Sequence, residues 1–420
     1  MSTISSIYNE QVGIEVFSKT NETGLKIYVI PTGNEDFVKT DIIVGIGGQD
    51  KKYVDRITGK VKEIPAGIAH YIEHLMFYEK NVKDVMQEFE KIGAYSNAYT
   101  YIDRTVFTAE ANSKTYINSL RKLMKMIFVP YFTKRTLAKE KKIVSSEMDI
   151  NENPESVISF VEDTDVIGVK ENLDKVNPRI LYNIYENYYT PNNMAIVVYG
   201  GVKLNDVLKN IDEMVLKLNL TNKPKVVKCE LEKNNLNNVK VLKKDRKNPS
   251  EIEIGLDFSK VAQDKNKVKF NIVQNILLET NFTKLSDFVF ELEDEDLIER
   301  MNIIDENLES CYYSPKDFMI IKAKTKHHEK IKEKLIEHLN KVLEIEPSEE
   351  DFRIAKNAMY VRILRELLDD IVQRVEDVFL YDYKVFEDLD LLQEMTFDEY
   401  KRAIKEMNLK DLKMYLVYYI

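Results

Sequence analysis

The sequence predicts an α+β protein made of two similar domains in tandem, each a mostly antiparallel sheet with helices packed on one face. The chain has 420 residues, which is too long for one ordinary hydrophobic core and favours two domains. The same order of elements occurs on both sides of a polar stretch. Strands also occur in groups between helices instead of alternating strictly with them, which favours α+β over α/β.

The first half contains the following elements in order. Hydrophobic periodicity predicts a strand at 39–46, helices at 67–78 and 82–92, strands within 96–110, helices at 114–128 and 134–149, a helix that ends near Tyr188, and a strand at 194–200.

The second half repeats this order. It has a strand at 251–259, a helix at 271–279, a further segment at 284–293, strands within 311–325, helices at 327–343, 348–368 and 396–405, and a strand at 414–420. The closest internal match is PYFTKRTLAKEKKIVSSEMD with IEPSEEDFRIAKNAMYVRIL. In each, a proline and polar start signal opens a long amphipathic helix, as expected of a duplicated domain.

The domain boundary is predicted in the polar stretch 218–238, where hydrophobic periodicity lapses. Residues 1–217 then form the first domain and residues 239–420 the second.

Composition limits the classes of partner and compartment. The formal net charge is −10, and this acidity argues against nucleic acid as a partner, because phosphate binding requires a basic face. Cys229 and Cys311, the two cysteines, predict neither a disulfide framework nor a cysteine zinc site. No apolar run approaches the roughly 20 residues that span a bilayer, and the N-terminus lacks a secretory signal pattern. We therefore expect a cytoplasmic protein with no membrane association.

The segment GIAHYIEHLMFY, residues 67–78, carries the main chemical signal. On a helix, His70 and His74 lie one turn apart on the same face, so both imidazoles can reach one metal ion. Imidazoles suit zinc, and a catalytic zinc keeps one position open for water. Glu73 lies beside that position and can take a proton from the water and deliver it to a leaving amine. The order is H-x-x-E-H, the inverse of H-E-x-x-H.

The alternative interpretation is a pair of core histidines with a chance glutamate. The apolar neighbours of Glu73 predict a buried helix, and an ionised buried carboxylate is costly unless a cation lies nearby. A metal ion removes this conflict.

A third ligand is expected from the helix at 134–149. Glu140 and Glu147 are two helical turns apart and share a face, so spacing alone leaves both open. The remaining histidines, His327, His328 and His338, lack a carboxylate constellation and are predicted to be surface residues.

Four segments together resemble the pitrilysin/insulinase family of inverted-zincin metallopeptidases. Within that family, the chain is most similar in length to the small bacterial members and the mitochondrial processing peptidases. The four segments are PAGIAHYIEHLMF, GAYSNAYTYIDRTVF, FTKRTLAKEKKIVSSEMDINENP and YYTPNNMAIVVYG, in family order over about residues 20–205. The second half fits the family in length and layout but carries no specific motif.

The resemblance implies a role for each matched residue. The two histidines and Glu147 would hold Zn²⁺, Glu73 would be the general base, and Glu140 would support the site from behind the ligands. Asn97 and Ala98 match an edge strand along which the substrate backbone adds as a further strand. The implied activity is zinc-dependent endopeptidase cleavage of small or unfolded peptides, such as leader-peptide processing or bacteriocin-type peptide maturation.

One segment departs from the family pattern. In FELEDEDLIERMN, Glu293 occupies the place of a substrate-gripping Arg and Glu299 lies near the place of a Tyr. We therefore expect a homodimer, or a heterodimer with a related subunit that supplies these groups; the alternative explanation is that the site prefers different peptides, such as basic ones. The alternative function, of a different class, is a non-catalytic structural or binding subunit of a peptidase-like complex.

Overall fold

The structure of the chain is a computed structural model. The structure describes residues 3–33, 36–81, 84–150, 166–229, 241–244, 251–258, 266–283, 286–304, 318–342, 346–407 and 413–419. The described residues form two compact units, the first extending to residue 229 and the second starting at residue 241.

The first unit is built on a sheet with the strand order β1-β2-β3-β9-β4-β8-β7 in the described chain. All neighbours are antiparallel except β3 and β9, which are parallel. The strands are β1 (Ser5–Asn9), β2 (Ile14–Thr20), β3 (Lys26–Pro31), β4 (Val38–Val44), β7 (Ala94–Thr100), β8 (Thr105–Ala111) and β9 (Met194–Gly200). A small separate sheet pairs β5 (Lys52–Val54) with β6 (Val61–Glu63) and β10 (Val227–Lys228).

The helices of this unit enclose its hydrophobic core against the sheet. They are α1 (Ile68–Met76), α2 (Val85–Glu90), α3 (Tyr116–Phe128), α4 (Lys134–Ile150), α5 (Lys170–Lys175), α6 (Pro178–Tyr188) and α7 (Leu204–Lys217). The residues at the start of α6 are those that commonly begin a helix. Asn177 caps α6 through its side chain, and Pro178 follows at the first helical position. Alternate strand residues such as Ile42 and Phe107 point into the core and are fully buried.

The second unit has its own sheet, with the described order β11-β15-β12-β14-β13. Only β11 and β15 are parallel. Its strands are β11 (Val241–Lys244), β12 (Glu251–Asp257), β13 (Arg300–Ile304), β14 (Phe318–Lys324) and β15 (Lys413–Tyr419), and its helices are α8 (Lys267–Phe282), α9 (Asp287–Asp294), α10 (His328–Val342), α11 (Glu349–Asp369), α12 (Ile371–Tyr381), α13 (Glu387–Glu394) and α14 (Phe397–Glu406).

The two sheets share one topology. The order β3-β9-β4-β8-β7 corresponds strand for strand to β11-β15-β12-β14-β13, and the single parallel pair lies at the same end of each series. In each of these five-stranded series, the strand that comes last in the chain lies between the two strands that come first. The predicted fold class, a duplicated α+β domain with a mostly antiparallel sheet, is confirmed.

Several elements differ from the prediction. The strands β1, β2 and β3 precede the first predicted strand, and β13 lies at Arg300–Ile304, whereas the prediction placed both strands of the pair within 311–325. Of that predicted segment β14 is observed, and Cys311 lies outside the described residues. Within the predicted linker 218–238, residues up to 229 belong to the first unit: β10 pairs with β5, and Val226 is buried in its core.

No helix in the described part of the chain combines the length and the apolar character needed to cross a membrane.

Candidate metal centre

Helix α1 carries His70, Glu73 and His74 and is fixed at its first turn by an unusually close backbone contact. Its cap residue Gly67 has a φ of 83°, a left-handed conformation that favours glycine. A Cβ atom on Gly67 would lie 2.1 Å from the carbonyl oxygen of Ile167. The start of the helix therefore packs directly on the backbone at Ile167 and Gly168, and this contact requires glycine.

Helix α4 lies against α1 and brings the two candidate glutamates to the histidines. Tyr71 on α1 donates a 2.5 Å hydrogen bond to the backbone oxygen of Leu137 on α4. Glu140 is one turn further along α4, and Glu147 is two turns beyond Glu140. Both glutamates consequently face α1.

The geometry separates the two glutamates, which sequence spacing could not do. Glu147 Oε2 lies 3.3 Å from His74 Nε2 and 3.7 Å from His70 Nε2. The two Nε2 atoms are 3.2 Å apart. Glu140 instead approaches the far side of the His74 ring, with Oε2 3.2 Å from Nδ1. Glu147 therefore belongs to the converging set, and Glu140 lies behind it.

The converging atoms fit a zinc ion. Candidate ligand atoms of His70, His74 and Glu147 all lie within 4.8 Å of one another, and this is the one such group found among the described residues. Two imidazole nitrogens and one carboxylate oxygen are a donor set of catalytic zinc sites. Burial, together with the charge of His74, lowers the pKa of His70 to about 4, so its imidazole is neutral, the form that binds metals. Glu147 keeps 35% side-chain exposure, which leaves the site open to solvent.

Glu140 sets the orientation of His74. Burial raises the pKa of Glu140, but hydrogen bonds from His74 and Tyr78 outweigh it and leave the pKa lowered. The ionised carboxylate only accepts, so His74 Nδ1 carries the hydrogen that it donates. In the neutral form of His74, the form that binds a metal, the lone pair then lies on Nε2, where the other ligand atoms converge. The pKa of His74 itself is lowered by burial, but the hydrogen bond to Glu140 and the charges of Glu73 and Glu147 leave it raised.

Glu73 is a buried carboxylate beside the converging atoms. Its side chain is held by Thr100 on β7, whose Oγ1 donates a 3.0 Å hydrogen bond to Glu73 Oε2. Burial raises the pKa of Glu73 to about 7, while the charge of His74 and the hydrogen bond from Thr100 oppose this rise. A carboxylate with a pKa near neutrality can both take and return a proton at physiological pH.

The edge strand β7 borders the same cleft. Among the described strands β7 pairs with β8 alone, so its other edge is open to a further strand. The cleft has a volume of about 840 Å³, and its lining includes the three candidate ligands, Glu73, Asn97 and Ala98. Asn97 and Ala98 are thus on an open strand edge next to the candidate centre.

Three contributors to this cleft were not predicted from the sequence. Thr100 and Tyr78 contact the two glutamates only through the tertiary fold, and no sequence signal marks them. Tyr99, 46% exposed, lines the cleft, and its alternation with Tyr95 and Asn97 in AYSNAYT marks one face of the strand.

In the second unit, Glu293 and Glu299 depart from the family pattern, and neither belongs to the group of candidate metal ligands found among the described residues. Glu293 lies on α9, and Glu299 forms an ion pair with Lys324. His338 is not the surface residue that the sequence predicted: its ring stacks on Phe288 with centroids 3.9 Å apart and contacts the edge of Phe282.

Comparison with known families identifies peptidase-like sequence in both units. The family model described as insulinase, peptidase family M16, matches residues 57–165. The model described as the peptidase M16 inactive domain matches residues 175–359, which cover much of the second unit. The chain is 26% identical over 424 residues to an uncharacterized zinc protease of Bacillus subtilis, YmfH, with 96% of each chain covered.

A shorter sequence match and a solved structure agree with these similarities. The β subunit of a mitochondrial-processing peptidase of Arabidopsis thaliana is 25% identical over 166 residues, 36% of this chain and 31% of that one. Among solved structures, an M16-like peptidase from Alicyclobacillus acidocaldarius superposes with a TM-score of 0.83 at 21% identity, covering 99% of this chain and 100% of that one. The shared fold thus extends over both units.

Proposed function

The chain belongs to the pitrilysin/insulinase family of peptidases, and from this membership we propose that it is a zinc-dependent endopeptidase of small or unfolded peptides. The observation that carries the proposal is the convergence of His70 Nε2, His74 Nε2 and Glu147 Oε2 within 4.8 Å, with the carboxylate of Glu73 beside them on the helix that carries the two histidines.

The residues divide the chemistry between them. His70, His74 and Glu147 would hold the zinc, which supplies Lewis acidity to a water molecule and to the peptide carbonyl. Glu73 Oε2 accepts the hydrogen bond from Thr100, so Oε1 remains to take the proton of the attacking water. The same oxygen then delivers that proton to the leaving amine, as a general acid–base group does.

The substrate backbone would add to β7 at Asn97 and Ala98. An extended peptide can complete an open strand edge with main-chain hydrogen bonds, a mode that recognises unfolded segments irrespective of most side chains. Its scissile bond would then pass Glu73, because Thr100 at the end of the same strand holds that carboxylate.

Leader-peptide processing or peptide maturation is the finer form of this proposal. Its support is the similarity to a mitochondrial-processing peptidase subunit. We further propose dimerisation, with itself or a related subunit; a related subunit would supply the substrate-gripping pair where this chain has Glu293 and Glu299. Light scattering that shows only a monomer, together with full peptidase activity of that monomer, would contradict the dimer.

The test separates metal binding from hydrolysis. Glu73→Gln should retain zinc, because Glu73 is outside the converging set, but lose peptide hydrolysis by about a hundred- to ten-thousandfold, the usual contribution of a general base. His70→Ala should lose both. Zinc content by elemental analysis and cleavage of an unstructured fluorogenic peptide provide the two measurements.

Two exposed residues supply matched controls. Glu186→Gln in the first unit and His327→Ala in the second make the same side-chain changes away from the cleft, and both should leave zinc content and cleavage unchanged. Undiminished hydrolysis by the Glu73→Gln protein would refute the mechanism. A purified chain that binds no added zinc would favour the alternative of a non-catalytic subunit.

A further inference from the structure

Tyr78 lies just beyond the end of α1 and reaches across to α4. Its hydroxyl donates a hydrogen bond to Glu140 Oε1. The other oxygen of that carboxylate, Oε2, accepts from His74 Nδ1 at 3.2 Å. Tyr78, Glu140 and His74 therefore form a continuous hydrogen-bonded series that leaves α1, passes through a side chain of α4 and returns to α1 at a candidate zinc ligand.

Both ends of the Glu140 carboxylate are fixed by this series. Glu140 is only 5% exposed, so a carboxylate oxygen that loses its partner cannot readily regain one from solvent. A carboxylate held at one oxygen alone can rotate about its terminal bond, whereas one held at both oxygens keeps its plane. With the Tyr78 bond in place, Oε2 stays directed at His74 Nδ1.

The Tyr78 ring is itself held in place. The Nζ of Lys139, the residue before Glu140 on α4, lies 5.1 Å from the centroid of the Tyr78 ring, within the range of a cation–π contact. The phenol is therefore held by both its ring and its hydroxyl, and both partners belong to the helix that carries Glu147.

We propose that Tyr78 is a positioning residue of the candidate zinc centre: by holding Glu140 it fixes the orientation of His74 and so contributes to zinc affinity. This inference rests on the proposed function. It assigns Tyr78 no contact with substrate or metal, only an effect that passes through Glu140.

A purely structural role for Tyr78 would be to join α1 to α4. Tyr71 already makes such a connection, since its hydroxyl donates to the backbone of Leu137 on α4, and no hydrogen bond in the described structure joins it to Glu140. Tyr71→Phe is therefore a matched control, because it removes a tyrosine hydroxyl bridge between the same two helices and leaves the series to His74 intact.

The experiment uses the full chain and compares Tyr78→Phe, Tyr71→Phe, Glu140→Gln and the double variant Tyr78→Phe/Glu140→Gln. Zinc dissociation constants are measured by competition with a chelator, and thermal unfolding of the zinc-free proteins is followed in parallel. The absorption spectrum of the Co²⁺-loaded proteins reports the ligand geometry independently of affinity and of activity.

We expect Tyr78→Phe to weaken zinc binding about three- to tenfold and to alter the Co²⁺ spectrum. This is less than the 10–100-fold loss typical of removing the direct partner of a ligand histidine, which we expect for Glu140→Gln. Tyr71→Phe should lower the unfolding temperature but leave the zinc dissociation constant and the Co²⁺ spectrum unchanged. In the Glu140→Gln background, Tyr78→Phe should have no further effect on zinc affinity.

Three results would overturn the inference: an unchanged dissociation constant and spectrum in Tyr78→Phe, an equal loss of affinity in Tyr71→Phe, or the same factor for Tyr78→Phe with and without Glu140. Each of these leaves the proposed function standing if the unaltered chain binds zinc. A failure of the unaltered chain to bind zinc would overturn both.

Discussion

Thr100 is the residue that joins the edge strand to the candidate general base. Its Oγ1 donates to Glu73 Oε2 at 3.0 Å, and hydrogen bonds to charged groups are among the stronger ones in proteins. Thr100→Val removes the donor with little change of shape. We expect kcat for peptide hydrolysis to fall about five- to twentyfold, because Glu73 loses its orientation, while zinc content stays unchanged.

Thr100→Ser is the matched control, because serine keeps the hydroxyl on Cβ and should retain most of the activity. An undiminished kcat in the valine variant, which keeps a methyl group, together with a loss in the serine variant, would show that the methyl group of Thr100, and not the hydrogen bond, is what matters.

We expect the stability of the second unit to depend on pH through His338. Its ring lies against Phe288 and Phe282, and its Nε2 is buried with no hydrogen-bond partner in the described chain. Burial lowers the pKa of His338 to about 4, while a hydrogen bond from the ring to the backbone of Asn281 opposes this shift and the charge of Lys341 adds to it.

The direction in which stability changes with pH follows from the linkage between proton binding and folding. Below the ordinary pKa near 6.5 the unfolded chain binds a proton that the folded His338 does not, so the stability that His338 contributes is full above pH 6.5 and declines between pH 6.5 and 4. His338→Phe keeps the stacking and should flatten this decline, measured as unfolding temperature of the second unit against pH. The exposed His327 provides the control, and an equal flattening by His327→Phe would contradict the assignment to His338.

At the residue scale, sequence reasoning identifies groups that lie close together in the chain. The spacing of His70, Glu73 and His74 determines their relative placement on any helix, so the local part of the site follows from the motif. Thr100 and Tyr78 contact Glu73 and Glu140 through the tertiary fold alone, and the choice between Glu140 and Glu147 requires the packing of α4 on α1. Spacing within a helix cannot supply that packing.

The position of helix α1 depends on the close contact between Gly67, at its first turn, and the backbone of Ile167. Gly67→Ala would introduce a Cβ atom 2.1 Å from the Ile167 oxygen at a φ of 83°, so the backbone of one segment must move. We expect a loss of at least about 3 kcal/mol of stability, the range of severe local disruption, and weaker zinc binding because His70 lies in that turn. Chemical denaturation and chelator competition measure the two effects.

Gly59→Ala separates conformational strain from the clash. Gly59 has a φ of 65° and nothing within 4 Å of the added Cβ position, so its substitution should cost only about 1–2 kcal/mol, from the left-handed backbone alone, with zinc affinity intact. Similar losses for both variants would mean that the contact with Ile167 adds nothing.

The elements that could be predicted are those with strong local patterns. The run MAIVVYG forms β9 at the predicted residues because a central strand buried on both faces is continuously apolar. The strand β1 is short, polar and mostly exposed, so it lacks the alternation that marks a half-buried strand. The strand β13 follows directly after the acidic segment of α9, and its pairing with β14 is a long-range property that local pattern does not reveal.

For the whole molecule, duplication is the strongest constraint that the sequence provides. Two sheets with one topology require two runs of elements in the same order, and that order can be read without knowing any register. The boundary between the two units is harder to predict from the sequence. Strand β10 and Val226 belong to the first unit because β10 pairs with β5 and Val226 is buried in the core, whereas their polar neighbours indicate a linker. The candidate ligands nevertheless all fall in one of the two units, so the proposed zinc site belongs to the first unit alone.

Zinc should therefore stabilise the first unit at its own site. At a free zinc concentration a hundred times its dissociation constant, any opening that breaks the site costs about 2.7 kcal/mol more, and amide exchange through that opening slows about a hundredfold. We expect the slowing in peptides from α1 and α4, measured by hydrogen–deuterium exchange with mass spectrometry, with α8 of the second unit as internal reference. His70→Ala should remove the effect, because the ligand that ties the first turn of α1 to Glu147 is gone. Slowing of equal size in α8, or slowing that survives in His70→Ala, would place the bound zinc elsewhere and separate the observed geometry from the proposed chemistry.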